Sequence, residues 1–295
     1  MVKNLFIFVF KTCAIFITLS FLFLFLFHFI IQKSNFRLNK IFTDFQIKEK
    51  NLILGNSRSV ILNKELFNDN NIINLSFNEF NGETIIQSLS SLNNFSNLKN
   101  KNIFIEISSL ISGKINCRVK IYYFYGGLNK NILDKCYKFP LLAKIFFLNH
   151  YNSEFFSRII YYLLFPSLDQ KWGTSSKKIS ENNCKNSQLN NLGENYYKKL
   201  FESSEKNIII KNISFIKKNY EKNNNKIYFF FMPTLNNEEI SKNFENLIPE
   251  ENKVSINKHL ESKYFSNCNY FKDRLHISDI GAESIINYFN FYLKN

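Results

Sequence analysis

The sequence predicts an α/β fold, with three α/β/α layers built around a parallel sheet. Two observations predict it. Short apolar runs alternate along the chain with longer segments whose apolar residues recur at helical spacing. The run at residues 227–232, Ile-Tyr-Phe-Phe-Phe-Met, is apolar throughout. Such a run is typical of a central parallel strand that is buried on both faces.

The elements follow in a regular order up to residue 108 and again from residue 196. Strands are expected at residues 52–54, 71–77, 102–108 and 227–232, with a short helix between residues 59 and 70. Helices are expected at residues 83–98, 196–220, 236–247 and 280–293. The turn signal Asn81-Gly82 precedes the first of these helices. Ser278 or Asp279 would cap the last one.

The N-terminal segment predicts a membrane anchor. Residues 12–31 carry no formal charge and are rich in Phe, Leu and Ile, and about 20 such residues span a bilayer. A cleaved signal peptide would have a shorter apolar core that ends in small residues, and the sequence lacks both features. We therefore expect an uncleaved anchor at residues 1–32, a linker at residues 33–50 and an α/β domain at residues 51–295. Residues 112–191 interrupt the strand and helix rhythm and predict a helical insertion.

The charge and cysteine content narrow the class of protein. The net charge is +14, but the lysines are scattered among asparagines, so nucleic acid is not an expected partner, whereas an anionic membrane surface is. The five cysteines fit no metal-ligand spacing, and we expect no metal and no bound cofactor. Cys13 lies in the predicted anchor. The four others allow two disulfides in three pairings, or free buried thiols.

Two distant stretches together predict a catalytic site. Ser57 follows the first apolar strand and Gly55, which places its hydroxyl at the carboxyl edge of the sheet, where α/β folds bind ligands. His276 lies just before the last helix, with Asp273 three residues earlier. A serine nucleophile needs a base, and the base needs an orienting carboxylate. The spacing assigns these roles to Ser57, His276 and Asp273 in turn.

These motifs resemble those of the SGNH, or GDSL, hydrolases. Gly55-Asn56-Ser57-Arg58-Ser59 is similar to the first block of that family, and residues 273–282 are similar to its last block. The Gly-x-Ser-Arg-Ser form resembles membrane-anchored members linked to surface polysaccharide or teichoic-acid acylation. The chain departs from the family in three places. Asn56 replaces the usual Asp, the second-block glycine is displaced to Gly82, and the third-block Gly-x-Asn-Asp is absent.

The departures leave two oxyanion donors unassigned. The Ser57 backbone N–H is one expected donor, and Asn78, Asn81 or Gly82 would supply the others. Arg58 is expected by default to be a solvated or helix-packed arginine, and the alternative is that it binds an anionic substrate group. Glu106 is unusual because it is a charged residue inside the third apolar strand.

The resemblance implies a membrane-anchored serine esterase or O-acyltransferase that acts on a cell-surface glycan through a Ser57 acyl-enzyme. A membrane acyl-donor protein would then be a partner. The domain would lie outside the cytoplasm at the inner or plasma membrane. One alternative is a catalytically inactive accessory protein of envelope-polysaccharide assembly. Another is a secreted lipase or esterase.

Overall fold

The computed structural model describes residues 7–12, 14–19, 22, 51–62, 66–67, 72–76, 81–96, 98–113 and 204–293. The chain divides into two compact units. Residues 1–44 and 151–170 form the first, and residues 45–150 and 171–295 form the second. The described residues of the first unit are helical. Within the described ranges, no helix combines the length and the apolar character needed to cross a membrane. Most of the predicted anchor at residues 12–31 lies outside those ranges.

The second unit contains an α/β fold with a parallel sheet, which confirms the predicted class. The strands are β1 (Asn51–Leu54), β2 (Ile72–Asn74), β3 (Asn102–Glu106) and β4 (Lys226–Phe230). Their order in the sheet is β2-β1-β3-β4, and every neighbouring pair is parallel. Leu52 pairs with Ile73 on one side and with Ile103 on the other. Because all four strands run the same way, the residues that follow them meet at one edge of the sheet.

Five α-helices are described in this unit. They are α1 (Gly82–Ser96), α2 (Glu205–Tyr220), α3 (Glu238–Glu245), α4 (Ser262–Ser266) and α5 (Asp279–Leu293). Shorter 3-10 turns lie at Ser59–Ile61, Ile107–Leu110, Glu221–Asn223, Glu250–Asn252 and Cys268–Tyr270. The predicted helices at residues 83–98, 236–247 and 280–293 correspond to α1, α3 and α5. Helix α4 has only five residues, too few for a helical period to stand out in the sequence.

Both faces of the sheet are buried. On one face, the ring of Phe289 in α5 lies 5.7 Å from that of Phe104 and 5.0 Å from that of Phe230, measured between centroids. Alternate strand residues, such as Ile103 and Ile105, point to the other face and are fully buried as well. Helices α1 and α2 pack against each other and bury apolar residues at helical spacing, namely Ile85, Leu89, Ile209, Ile213 and Ile216.

Strand β4 is the last strand of the described sheet, and four of its five residues are buried, as the apolar run predicts. Its outer side carries a single parallel bridge between Phe229 and Lys253, where the Val254 N–H donates to the Phe229 carbonyl at 2.9 Å. A continuous apolar run indicates that both faces of a strand are covered. The run does not indicate how many strands lie beside that strand in the sheet. The sequence therefore identified the strand and its burial, and the pairing in the structure gives its position in the sheet.

The predicted insertion at residues 112–191 lies outside the described residues, apart from residues 112 and 113. Cys268 is disulfide-bonded. The other four cysteines lie outside the described ranges, so the pairing stays an open prediction.

Candidate active site

The first part of the site is a tight turn at the end of β1, formed by residues 55–59 and called the Ser57 turn below. The Asn56 side-chain oxygen accepts the Arg58 backbone N–H at 3.1 Å, and the Asn56 carbonyl accepts the Ser59 N–H at 3.2 Å. Asn side chains favour such turns because they bond backbone two residues ahead. Ser57 lies at the top of the turn and is half-buried.

Gly55 is required by the close packing beneath this turn. A Cβ at this position would lie 2.2 Å from the Ser59 Oγ and 2.8 Å from the Glu106 Cβ. Both distances are shorter than any real contact of a Cβ atom. A side chain at residue 55 would therefore force the Ser57 turn away from β3.

The second part of the site is a loop before α5, formed by residues 272–277 and called the His276 loop below. An antiparallel bridge between Phe271 and Ile277 closes it, and the His276 carbonyl accepts the Lys272 N–H at 2.9 Å. The Ser278 hydroxyl accepts the Gly281 N–H at 3.1 Å, so Ser278 is the N-cap of α5. The loop and the helix start thus form one hydrogen-bonded unit.

The two parts meet at the predicted residues. The His276 Nε2 lies 2.9 Å from the Ser57 Oγ, although 219 positions separate them in the chain. The His276 Nδ1 lies 2.9 and 2.8 Å from the two carboxylate oxygens of Asp273. With Nδ1–H donating to Asp273, Nε2 is left as the acceptor for the serine proton. The three side chains are connected as a nucleophile, a base and an orienting acid are in serine hydrolases.

The Asp273 carboxylate is held ionised. Partial burial acts to raise the pKa of this carboxyl, but the hydrogen bond and the charge of His276 oppose it. The Leu275 and His276 backbone N–H groups also donate to it, at 2.8 and 2.9 Å. The result is a pKa below the ordinary value for Asp. An ionised carboxylate can orient the imidazole ring and stabilise its protonated form.

A buried polar network lies behind the Ser57 turn. The Glu106 carboxylate at the end of β3 accepts from Arg58 Nη1 at 3.3 Å, from the Met232 backbone N–H at 3.4 Å and from the Ser108 hydroxyl. The Asn56 Nδ2 in turn donates to the Ser108 Oγ at 3.0 Å. Glu106 has no solvent exposure, and this burial raises the pKa of its carboxyl, against the opposing effects of Arg58 and the hydrogen bonds. The network therefore connects the Ser57 turn to the ends of β3 and β4.

Arg58 belongs to this network and not to a substrate surface. The residue is 3% exposed, and its guanidinium lies 4.3 Å above the ring of Phe231. Arg58 was a candidate for binding an anionic group of a substrate. Its charge is instead directed into the protein interior, where Glu106 neutralises it.

The predicted oxyanion donors are placed less favourably. Asn78 lies outside the described residues. The Asn81 side-chain oxygen caps helix α1 by accepting from the Thr84 N–H and hydroxyl, both at 3.0 Å, and the Gly82 N–H donates to the Ile111 carbonyl at 3.0 Å. In the part of the chain that the structure describes, the Ser57 N–H has no hydrogen-bond partner. It is therefore the described donor best placed for an oxyanion.

Sequence reasoning missed the partners of Glu106, although it singled out the residue itself. A carboxylate inside a strand of otherwise apolar residues was the available signal. Ser108 and Met232 are ordinary residues in the sequence, and only the fold brings Arg58 and the Met232 N–H to that carboxylate. Among the described residues, no cluster of His, Cys, Asp or Glu is arranged to hold a metal ion.

The chain was compared with protein families, curated proteins and solved structures. No protein-family model, curated protein or solved structure matches the chain.

Proposed function

We propose that the chain is an SGNH-like serine esterase or O-acyltransferase with a three-layer α/β/α domain. The observation that carries the proposal is the connected geometry of Ser57, His276 and Asp273. The position of each residue supports it further. The serine follows the first strand of the domain, the acid and base precede the last helix, and both lie at the carboxyl edge of a parallel sheet.

The acylation step follows from the contacts. The Ser57 Oγ attacks the carbonyl carbon of an ester while its proton moves to the His276 Nε2. The Ser57 N–H donates to the oxyanion of the tetrahedral intermediate. The intermediate collapses, the ester C–O bond breaks, and the leaving alcohol takes the proton from His276. An acyl-Ser57 ester remains, and the base is neutral again.

The deacylation step decides between hydrolysis and transfer. Water or a sugar hydroxyl gives its proton to the His276 Nε2 and attacks the acyl carbonyl. Collapse then releases Ser57, which recovers the proton. Asp273 stays ionised in both steps and holds the imidazole in the tautomer that presents Nε2 to the serine. His276 is 32% exposed, so an acceptor has access to the base from solvent.

The proposed setting is the outer side of the inner or plasma membrane, with a surface glycan as the acyl acceptor or ester substrate. The uncharged apolar run at residues 12–31 supports a single-pass anchor. The disulfide at Cys268 supports an oxidising, extracytoplasmic location. A membrane protein that supplies activated acyl groups would be the partner of a transferase, and residues 112–191 would form the helical insertion.

A labelling experiment tests the proposal. A fluorophosphonate probe phosphonylates an activated serine and releases fluoride, so the wild-type protein should gain one phosphonyl group, located at Ser57 by peptide mass spectrometry. Ser57→Ala should abolish labelling. Ser255→Ala is the matched control and should label as the wild type does, because this half-buried serine follows the segment that bridges to Phe229 on the outer side of β4. Folded wild-type protein that gains no label would contradict the proposal.

The second candidate is a non-catalytic accessory protein of envelope-polysaccharide assembly. One observation favours it: the Gly82 N–H, a predicted oxyanion donor, already donates to the Ile111 carbonyl. A site with fewer oxyanion donors is a weaker catalyst, since each lost donor typically costs about 2.7–4 kcal/mol. The labelling experiment separates the two candidates, because an accessory protein needs no activated serine.

A further inference from the structure

The Arg58 side chain is connected to more segments of the site than any catalytic side chain is. Its Nε–H donates to the Leu275 carbonyl at 3.1 Å, and its Nη1 bonds the Glu106 carboxylate at 3.3 Å. Its Nη2 donates to the Pro233 carbonyl at 3.2 Å, to the Thr234 hydroxyl at 3.1 Å and to the Met232 carbonyl. One guanidinium thus joins the end of β1 to the ends of β3 and β4 and to the His276 loop.

Among the hydrogen bonds of Arg58, the one to Leu275 joins the immediate neighbours of two catalytic residues. Leu275 directly precedes His276, and Arg58 directly follows Ser57. A hydrogen bond between these two neighbours therefore runs parallel to the catalytic contact between the Ser57 Oγ and the His276 Nε2. Together with the catalytic contact, this bond ties the Ser57 turn to the His276 loop.

We infer that Arg58 is a positioning residue, which fixes the separation of the Ser57 hydroxyl and the His276 ring through its bond to Leu275. Glu106 is its counter-ion and holds the guanidinium in the orientation that aims Nε–H at the Leu275 carbonyl. The inference rests on the proposed function, because it assigns a role within that same site. The inference goes beyond the proposed function because it assigns part of the reactivity of Ser57 to the buried Arg58 guanidinium, which touches no substrate.

Arg58→Lys separates positioning from charge. A lysine ammonium at the same place keeps the positive charge beside Glu106, so the ion pair survives. It lacks the planar fork of the guanidinium, so one ammonium cannot serve Glu106, the β4 end and Leu275 together. The variant should fold, and it should lose the Leu275 bond selectively.

The experiment measures the second-order rate constant of fluorophosphonate labelling per folded molecule, across a range of pH. We expect Arg58→Lys to label between about tenfold and 100-fold more slowly than the wild type, because a displaced base lowers rates on that scale. The shape of the pH profile should not change, since the charge is kept. With a small ester such as p-nitrophenyl acetate, kcat should fall while KM stays the same.

Ile213→Ala is the control for a merely structural effect. This buried residue of α2 is 2% exposed, so its truncation lowers the thermal midpoint without touching the site. Its labelling rate per folded molecule should equal that of the wild type. If Arg58→Lys folds and labels at the wild-type rate, the inference is overturned while the proposed function stands. If folded wild-type protein does not label, the proposed function is contradicted, and the inference that rests on it is overturned as well.

A second variant covers the case in which Arg58→Lys does not fold. Arg58→Met combined with Glu106→Gln removes both charges together, which avoids an unpaired charge in the interior. The glutamine can still accept the Met232 N–H and donate to the Ser108 Oγ. This variant also lacks the Leu275 bond and should label at least as slowly as expected for Arg58→Lys. Wild-type labelling by this variant, or failure of both variants to fold, would overturn the inference.

Discussion

The Asn56→Asp substitution tests how the Ser57 turn is held. The resemblance to SGNH hydrolases implies Asp at this position, so the change would restore the residue usual in that family. In this chain, however, the Asn56 Nδ2 donates to the Ser108 Oγ at 3.0 Å, and Ser108 in turn donates to Glu106. An aspartate keeps the bond to the Arg58 N–H but has no hydrogen to give to Ser108.

Two costs follow from this geometry. Loss of the donor leaves an oxygen facing the Ser108 oxygen, which costs about 1–3 kcal/mol. The new carboxylate would also share the Ser108 hydroxyl with that of Glu106, and like charges about 5 Å apart repel by roughly 3 kcal/mol at an effective dielectric constant of 20. Residue 56 is half-buried and water screens part of this repulsion, so we expect a total destabilisation of about 2–4 kcal/mol at pH 7.

The pH dependence identifies the cause. Repulsion by Glu106 raises the folded-state pKa of an Asp at residue 56 above its unfolded value, which is ordinarily about 3.9. Such a group costs little stability below the unfolded pKa, and the cost grows as the pH rises through the folded value. The gap in stability between variant and wild type should therefore be smaller at pH 4 than at pH 7.

The assay is urea unfolding followed by circular dichroism at both pH values. Asn269→Asp is the matched control, because Asn269 is exposed and the change should shift stability by no more than about 0.5 kcal/mol. An Asn56→Asp variant as stable as the wild type at pH 7 would refute the role given to the Asn56 amide.

Three further predictions concern other parts of the domain. Asp273→Asn should slow fluorophosphonate labelling by a factor on the order of 10³–10⁴ at neutral pH. Because hydrogen bonding lowers the pKa of Asp273, its stabilising effect should persist above the ordinary value of 3.8 and disappear as the pH falls below it. Thermal midpoints of the wild type and the variant, measured against pH, check this. Gly55→Ala should destabilise the domain by about 1–3 kcal/mol in urea unfolding and slow labelling as well, because a Cβ would lie 2.2 Å from the Ser59 Oγ. An unchanged labelling rate would show that the turn tolerates the side chain. Glu245→Gln should cost about 1–3 kcal/mol at pH 8, because Glu245 is buried and accepts the Ile256, Asn257 and Lys258 N–H groups at 2.6–2.9 Å, and an amide NH2 cannot accept the last of them. Equal urea midpoints would contradict it.

The sequence predicted those features that local physics determines. Strands β1 and β3 are short apolar runs, and α5 has helical spacing with a serine cap, so each was visible in its own segment. The Ser57, Asp273 and His276 set was predictable because strand ends meet at one sheet edge and because the two motifs resemble those of a known family. The site distances themselves were not in the sequence, since they depend on the register of β1 with β3 and on how the His276 loop packs.

What the sequence could not predict depends on packing between distant segments. The place of β4 in the sheet is set by its pairing with β3 and by the bridge to Lys253, which no pattern within residues 226–230 encodes. The direction of the Arg58 side chain was equally hidden. An arginine beside a nucleophile can face a ligand or the protein interior, and its direction depends on whether a buried carboxylate lies within reach. In this chain the carboxylate of Glu106, 48 positions later, accepts a hydrogen bond from the Arg58 guanidinium.

The buried pair also bears on why the site tolerates Asn56. A carboxylate at residue 56 and the carboxylate of Glu106 would compete for the one hydroxyl hydrogen of Ser108, and only one of them could be satisfied. Glu106 holds Arg58, and Arg58 holds the loop that carries the base, so the negative charge is needed at residue 106. An uncharged amide at residue 56 then serves both neighbours, because it accepts from the Arg58 N–H and donates to Ser108.

On this argument, the residues at positions 56 and 106 depend on each other. Asn56→Asp should therefore destabilise the protein less when Glu106 is changed to Gln than when Glu106 is present. A double-mutant cycle in urea unfolding measures this, and additive effects of the two substitutions would refute the coupling.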